Sequence, residues 1–410
     1  MLLLYNLGIR IYFLFIYTAS FFNKKAKLWL KGRQQVKYQS FDKSAWFHFA
    51  SLGEYEQGLP VLIAFRQRHQ ETPVVITFFS PSGYEVRKNT PHADAVYYLP
   101  LDTAANARRF IAAINPAIAV FTKYEYWYHY FQQLNGRNTP LFVISGIFRP
   151  DQVFFKWYGG LHRKMLGYVT RFFVQDEESK SLLQQLHITN ADVSGDTRFD
   201  RVWANAENPK SFDIVEDFTK GHKVLITGST WPQDEVLLAE LIKSHGNWKF
   251  IIAPHEIKEE KIERLLGMLP QNLTTRYSQL DPESYHGHQL LKTQVLVIDN
   301  IGMLSSLYRY GNVAYIGGGF GVGIHNTLEA AAFGLPVIFG PNYEKFKEAR
   351  ELVALQLGFS INNADELKRV FAEIAMDEGK LQIMHDAIRE YVEKHKGATQ
   401  MIMSYVDRQK

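Results

Sequence analysis

Cysteine is absent from the 410 residues, which excludes a disulfide scaffold, a thiolate zinc site, an iron–sulfur cluster and a cysteine nucleophile. Several motifs are missing as well. No G-x-G-x-x-G follows the first strand-like run of either half, and no G-x-x-x-x-G-K-[ST] occurs, so dinucleotide binding and P-loop phosphoryl transfer lose their usual signatures. Neither H-E-x-x-H nor D-x-D is present, and no dedicated catalytic metal is expected. Acid is also lacking over residues 1–40, where Asp42 is still to come and seven basic residues stand alone: Arg10, Lys24, Lys25, Lys27, Lys31, Arg33 and Lys37. Taking these from the 46 basic residues of the chain leaves 39 against 42 acidic, a net of −3 in a chain whose total is +4. The positive charge belongs to one end, which argues against a whole-protein nucleic-acid binder.

What is present is a globular composition, 46% hydrophobic and 21% charged, long enough for two or three domains at about 100–200 residues each. Residues 1–22 are apolar and aromatic except for Asn6, Arg10, Thr18 and Ser20. About 20 helical residues can span a bilayer core, but Arg10 near the middle is costly there. A helix lying in the interface and a tilted span with Arg10 snorkelling both remain open, beside a buried N-terminal helix of a soluble enzyme. A signal peptide fits poorly, because the charges follow the apolar run. The basic segment Lys24–Arg33 predicts a body held on the cytoplasmic side, against anionic lipid.

Past residue 44 one pattern repeats: a short β-branched or aromatic run, a polar or glycine turn, then a helix-period stretch. The runs are Ala45–Ser51, Val74–Ser80, Val96–Leu101, Ala117–Thr122, Leu141–Ser145 and Arg171–Gln175. They continue with Lys223–Gly228, Trp248–Pro254, Gln294–Asp299, Val313–Gly317 and Pro336–Gly340. The expectation is α/β: two Rossmann-like domains with parallel sheets, over 36–210 and 211–410, after a membrane-associated segment 1–35. The last helix could pack back on the first domain. Chemistry then belongs in the turns after the strands.

Those turns hold the candidates. Glu54 and Glu56 follow the first run; a carboxylate there can act as a general base or simply complement a helix dipole, and Glu56 fits the second role better. Glu125 sits among the rings of Lys123-Tyr124-Glu125-Tyr126-Trp127, where it needs a charged partner. Arg149 and Arg198 can each grip an anion bidentately, or be surface residues. In the second half Ser229 and Thr230 precede a helix start and can bind phosphate or serve as caps, and Pro254-His255 ends the next run. The segment 317–330 has five glycines in seven residues, then His325, Asn326, Thr327, Leu328 and Glu329. It predicts close backbone approach to a ligand by Gly318 and Gly319, with Glu329 on the first turn of a helix, accepting ribose hydroxyls.

These residues resemble the two-domain nucleotide-sugar glycosyltransferases (GT-B), and within them the 3-deoxy-D-manno-octulosonic acid (Kdo) transferases. The matching pieces are HFASLGEYEQGLP, TKYEYW, VISGIFRP, FVQDEES, VSGDTRFD, GSTWPQDE, APHEIKE, VIDNIGML and GIHNTLEAAAFGLPVIFGPNYEKFKEA. The resemblance implies two facing domains that transfer Kdo from CMP-Kdo to a lipid A precursor with inversion, at the bacterial inner membrane. It implies Glu54 as general base, with Glu125 and Arg198 assisting the transition state. It also implies that Pro254-His255, Ile301-Gly302-Met303 and Asn326 to Glu329 contact CMP, with Arg149 on the sugar carboxylate and no cofactor or metal. Three features depart from the family pattern: Arg198 stands where Lys is common, Pro254 where Arg is common, and the glycine segment is shorter. The rival readings are a GT-B transferase using a UDP-sugar and a non-catalytic membrane-bound scaffold.

Overall fold

The computed structural model describes residues 1–34, 36–123, 125–280, 290, 292–375 and 377–409. Tyr124 of the aromatic segment lies outside the described residues. The chain forms two compact units, one of Met1–Arg201 with His395–Lys410, the other of Val202–Lys394.

The first unit carries strands β1 (Ser44–Phe49), β2 (Val74–Phe78), β3 (Ala95–Tyr98), β4 (Pro116–Thr122), β5 (Leu141–Gly146), β6 (Arg171–Val174) and β7 (Ala191–Val193). They pair in parallel in the order β3-β2-β1-β4-β5-β6-β7. Both faces of this sheet are covered, so β1 and β2 are buried at every position, as continuous apolar runs require. One face packs a core that includes Trp46, Phe110, Phe121 and Phe131. The other packs Phe47, Phe49, Val61, Leu62 and Phe65 with Ile402 and Met403.

The second unit carries β8 (Lys223–Thr230), β9 (Trp248–Pro254), β10 (Thr274–Arg276), β11 (Val295–Val297), β12 (Val313–Ile316), β13 (Val337–Phe339) and β14 (Gly358–Ser360). Their order is β10-β11-β9-β8-β12-β13-β14, again parallel. In each sheet the strand order reverses once, between β1 and β4 and between β8 and β12. A doubly wound sheet binds its ligand in the crevice at the carboxyl end of such a point.

Helix α1 (Leu2–Ala19) has no fully buried side chain, so it is not a core helix. Leu3, Leu4, Leu7, Ile11, Leu14 and Phe15 stand exposed, as does Arg10. Its other face touches the first unit: His129 Nε2 meets Asn6 Oδ1 at 2.7 Å, and Tyr12 packs edge-on against Trp29. Helix α2 (Lys24–Lys31) is capped by Asn23, whose Oδ1 accepts from the Lys25 and Ala26 N–H groups. The basic segment is not uniformly displayed. Arg33 turns inward, donating to the carbonyls of Trp29, Phe79 and Leu99 beneath the Trp29 ring, 3.8 Å away. Burial brings its guanidinium down to about 9, and its job is to tie α2 to the sheet rather than to meet lipid.

Candidate functional site

In the first unit, residues from β1 and β4 flank the switch point. Ser51 breaks the β1 run and starts helix α3 (Leu52–Arg68), with Glu54 at its third position. This is the S-x-x-E pattern of a capping box, and the Ser51 N–H donates to Glu54 Oε2 at 3.0 Å. Burial, reinforced by the charge of Glu125, pushes the Glu54 carboxyl up to about 7; Lys123 and the backbone N–H groups of Ala50 and Ser51 pull in the other direction.

Glu125 finds its partner in a residue that reads from sequence as core. His48 is fully buried on β1, and its Nε2 lies 3.2 Å from Glu125 Oε2. His48 Nδ1 contacts Thr77 Oγ1 at 2.8 Å, and the Trp127 indole N–H donates to the same Glu125 oxygen at 2.9 Å. The carboxylate is therefore held from two sides. Lys123, between β4 and Glu125, adopts φ +60°, the left-handed region that a residue with a Cβ enters only when its surroundings demand it. Its charge lowers the proton affinity of both Glu54 and Asp196.

Arg198 is anchored from below. Its N–H donates to Asp196 Oδ1 at 2.9 Å and its Nε to Oδ2 at 2.8 Å; the Gln57 amide of α3 donates to the same carboxylate at 2.7 Å. Burial would raise the Asp196 carboxyl, but Arg198 and Lys123 outweigh it and hold it below the usual range. Glu54, Glu125 and Arg198 thus gather at one end of the sheet, joined by Lys123, His48, Asp196 and Gln57. Glu56 instead pairs with Arg87 at 2.7 Å and with Arg201, an ion-pair role in place of the helix-dipole complement expected of it, since it lies past the first turn. Arg149 stands exposed after β5, its N–H bonded to Gln152, and its guanidinium forms no ion pair among the described residues.

In the second unit the turns after β8 and β12 are tied together by Asp234. Its Oδ2 accepts from the N–H groups of Trp231 (2.8 Å) and Gly318 (2.9 Å), and its Oδ1 from the Tyr315 hydroxyl (2.8 Å). Ser229 takes φ +54° and Gly318 φ +93°. The glycines also let the loops pack closely. A Cβ on Gly317 would collide with the Ser229–Thr230 backbone, and one on Gly319 with Gly340. At these two positions loop backbone meets loop backbone.

Three rings close this end. Trp231 stacks on His255 at 4.7 Å, His255 lies 4.5 Å from His325, and the indole N–H donates to His325 Nε2 at 3.0 Å. That bond needs a lone pair on Nε2, which fits His325 being neutral; burial, with His255 adding to it, brings the imidazole down to about 4. The His255 N–H donates to the Thr230 carbonyl at 3.0 Å, beside Pro254, which pairs with Thr230. A cavity of about 320 Å³ opens beside Asp234, between Trp231–Pro232 and Gly318–Val322.

Asn326 caps the next segment, accepting the Leu328 N–H at 3.1 Å and donating to Glu329 Oε1 at 3.2 Å. The helix expected there is a single turn, Leu328–Ala331, stopped by Gly334 at φ +79° and then Pro336, with Thr327 buried at its start. Glu329 faces Tyr308, whose hydroxyl lies under the vacant Cβ position of Gly228. Ile301 is exposed after β11, Gly302 takes φ +87°, and Met303 is buried.

Two parallel-sheet Rossmann-like units, each with its polar residues gathered at a switch point, are the architecture of the GT-B fold class. In fold alone the chain is similar to UDP-GlcNAc 2-epimerase from Neisseria meningitidis (TM-score 0.61, 16% identity, 89% of this chain and 100% of that one). It is likewise similar to the calicheamicin glycosyltransferase (TM-score 0.52, 89% of this chain and 99% of that one). Residues 22–201 match the family described as 3-deoxy-D-manno-octulosonic-acid transferase (Kdo transferase). A 3-deoxy-D-manno-octulosonic acid transferase of Chlamydophila psittaci is 27% identical over 338 residues, covering 79% of this chain and 76% of its own. Both matches are to Kdo transferases, and the chain is similar to them over most of its length.

Proposed function

We propose that this protein transfers Kdo from CMP-Kdo to a lipid A precursor, lipid IVA, in lipopolysaccharide synthesis, with inversion at the anomeric carbon. The observation that carries the reading is Glu54, a carboxylate fixed by the Ser51 N–H at a switch point and titrating near neutrality. A general base works best when its proton affinity matches the ambient pH. Glu54 takes the proton of an acceptor hydroxyl as that oxygen bonds to the anomeric carbon, and the bond from that carbon to the CMP phosphate breaks. Glu125 and Arg198 assist as charge redistributes, and Arg149 holds the sugar carboxylate.

The second unit supplies the CMP contacts: Ser229, Thr230, Pro254, His255, Ile301, Gly302, Met303, Gly318, Gly319 and the stretch His325, Asn326, Thr327, Leu328 and Glu329. Oriented N–H groups and cationic side chains can stabilise the departing phosphate, so the scheme uses no metal and no cofactor. The exposed apolar face of α1 and the lysines of α2 support work at an anionic membrane, with the body on the cytoplasmic face of the inner membrane.

Incubation of the full chain with CMP-Kdo and lipid IVA, read by product mass, tests the proposal. The expected result is a gain of Kdo, and loss of transfer by about 10²–10⁴-fold in E54Q with CMP binding retained. Protection by UDP and not CMP, or full transfer by E54Q, overturns it.

A further inference from the structure

Trp157 is 91% exposed, and its neighbour Tyr158 49%. The other tryptophans are different: Trp29, Trp46 and Trp248 are buried, and Trp127, Trp203 and Trp231 are half-buried. The turn that presents Trp157 is built. The Gly159 N–H bonds to the Lys156 carbonyl at 2.9 Å, leaving Trp157 and Tyr158 at the two tip positions. A Cβ on Gly159 would collide with the Val153 carbonyl oxygen, so the base of the turn is packed tight. Arg163 clamps it by donating to the carbonyls of Phe154 (3.0 Å) and Lys156 (2.8 Å), and Phe154 is buried in the core beneath. The Trp157 ring itself lies edge-on to Tyr158 at 5.5 Å.

A rigid turn that holds an indole and a phenol in water gives up their burial, which calls for a partner. Two rings on one turn are far short of the roughly 800 Å² per side that a stable protein interface needs. Their chemistry suits the headgroup zone of a bilayer, where amphipathic rings concentrate. The charge around them agrees: Lys156, Arg163 and Lys164 adjoin the tip, with Arg149 before it and Asp151 the one acid between. The turn also shares a face of the first sheet with α1. The Lys164 side chain lies against the hydroxyls of Tyr128 and Tyr168, and the Tyr128 ring packs against Tyr5 of α1 at 6.1 Å.

We propose that the Trp157–Tyr158 turn is a second membrane-contact element, seated in the headgroup layer of an anionic bilayer beside the contact made by α1. This rests on the reading that the protein works at a membrane. The test uses the full chain with vesicles of equal parts phosphatidylcholine and phosphatidylglycerol carrying bromines high on the acyl chains. Tryptophan emission is quenched in the wild type, and W157F loses the greater part of that quenching while still sedimenting with the vesicles. W157A lowers vesicle affinity at least about tenfold, and K156Q and K164Q each lower it about fivefold at low salt. Melting temperatures of all variants match the wild type. If the wild type sediments but W157F is quenched as strongly, the turn does not touch the membrane and the α1 reading stands. Wild-type protein that ignores the vesicles overturns both, and vesicle binding lost only on placing glutamates at Leu4, Leu7 and Leu14 assigns the contact to α1 alone.

Discussion

The hydroxyl of Tyr5 donates to Asp102 Oδ2 at 2.5 Å, and the same carboxylate accepts the N–H groups of His129 and Tyr130. The start of α1 is thereby fastened to the beginning of the helix Tyr128–Gly136. A helix fastened at Tyr5 has its first turns fixed to the first unit. Tyr5→Phe should cost about 1–2 kcal/mol of stability and open residues 1–20 to protease, which limited digestion and a thermal melt will show.

Glu54 sits between opposed neighbours, and its titration should respond to each. As the proposed general base Glu54 must be ionised, so kcat/KM should rise with pH through about 7. Glu125→Gln removes a like charge and should move this limb to lower pH. Lys123→Met removes a cation and should move it higher. Position of the limb is the readout, since both variants also lose rate.

The same strained titration carries a stability cost. A carboxyl whose folded value lies above the usual 4.5 binds more protons folded than unfolded, so stability falls as pH climbs from there through about 7. Glu54→Gln keeps an acceptor for the Ser51 N–H and removes the buried charge. It should therefore stabilise the protein at pH 8, by up to about 3 kcal/mol, in the variant that has lost transfer. Chemical denaturation at pH 5 and pH 8 measures the difference.

Arg198 depends on geometry as well as charge. Arg198→Lys keeps the cation but gives up the Nε bond to Asp196; one charged hydrogen bond is worth about 1.5–3 kcal/mol, so kcat should fall at least roughly tenfold. Asp196 is depressed below 3.8, and its contribution to stability is present above that value and lost as pH falls below it. Asp196→Asn should flatten that acid limb of the stability profile.

In the second unit, Asp234→Ala leaves two backbone N–H groups and the Tyr315 hydroxyl without their acceptor. The expected loss is about 3 kcal/mol or more, together with weaker CMP binding. Tyr315→Phe removes one donor of three and should cost about 1 kcal/mol. Calorimetry on the two variants separates them.

Among the described residues eleven strands announce themselves as apolar runs, and the three that do not are β7, β10 and β14. Each is three residues long at the end of its line of strands, reading Ala-Asp-Val, Thr-Thr-Arg and Gly-Phe-Ser, too short for a period to form. Glu54 is legible because a capping pattern after a strand has only a few uses. Lys123 is not, since its left-handed backbone is imposed by the sheet around it. His48, in Trp-Phe-His-Phe, looks like core until the fold sets Glu125 beside it. Arg33 counts in the sequence as surface charge, and only the packing of Trp29 and Phe79 turns it inward.

The return of residues 395–410 to the first unit bears on how the catalytic end is assembled during synthesis. Ile402 and Met403 fill the core beside Val61, Leu62 and Phe65 of α3, and Asp407 meets Arg68 and His69 at the far end of that helix, each at 2.8 Å. The helix that begins near Glu54 is braced by residues that emerge from the ribosome only after all of 202–394. The second unit, a continuous stretch, can fold on the nascent chain; the first, which carries Glu54, completes its core only once residues 395–410 have followed.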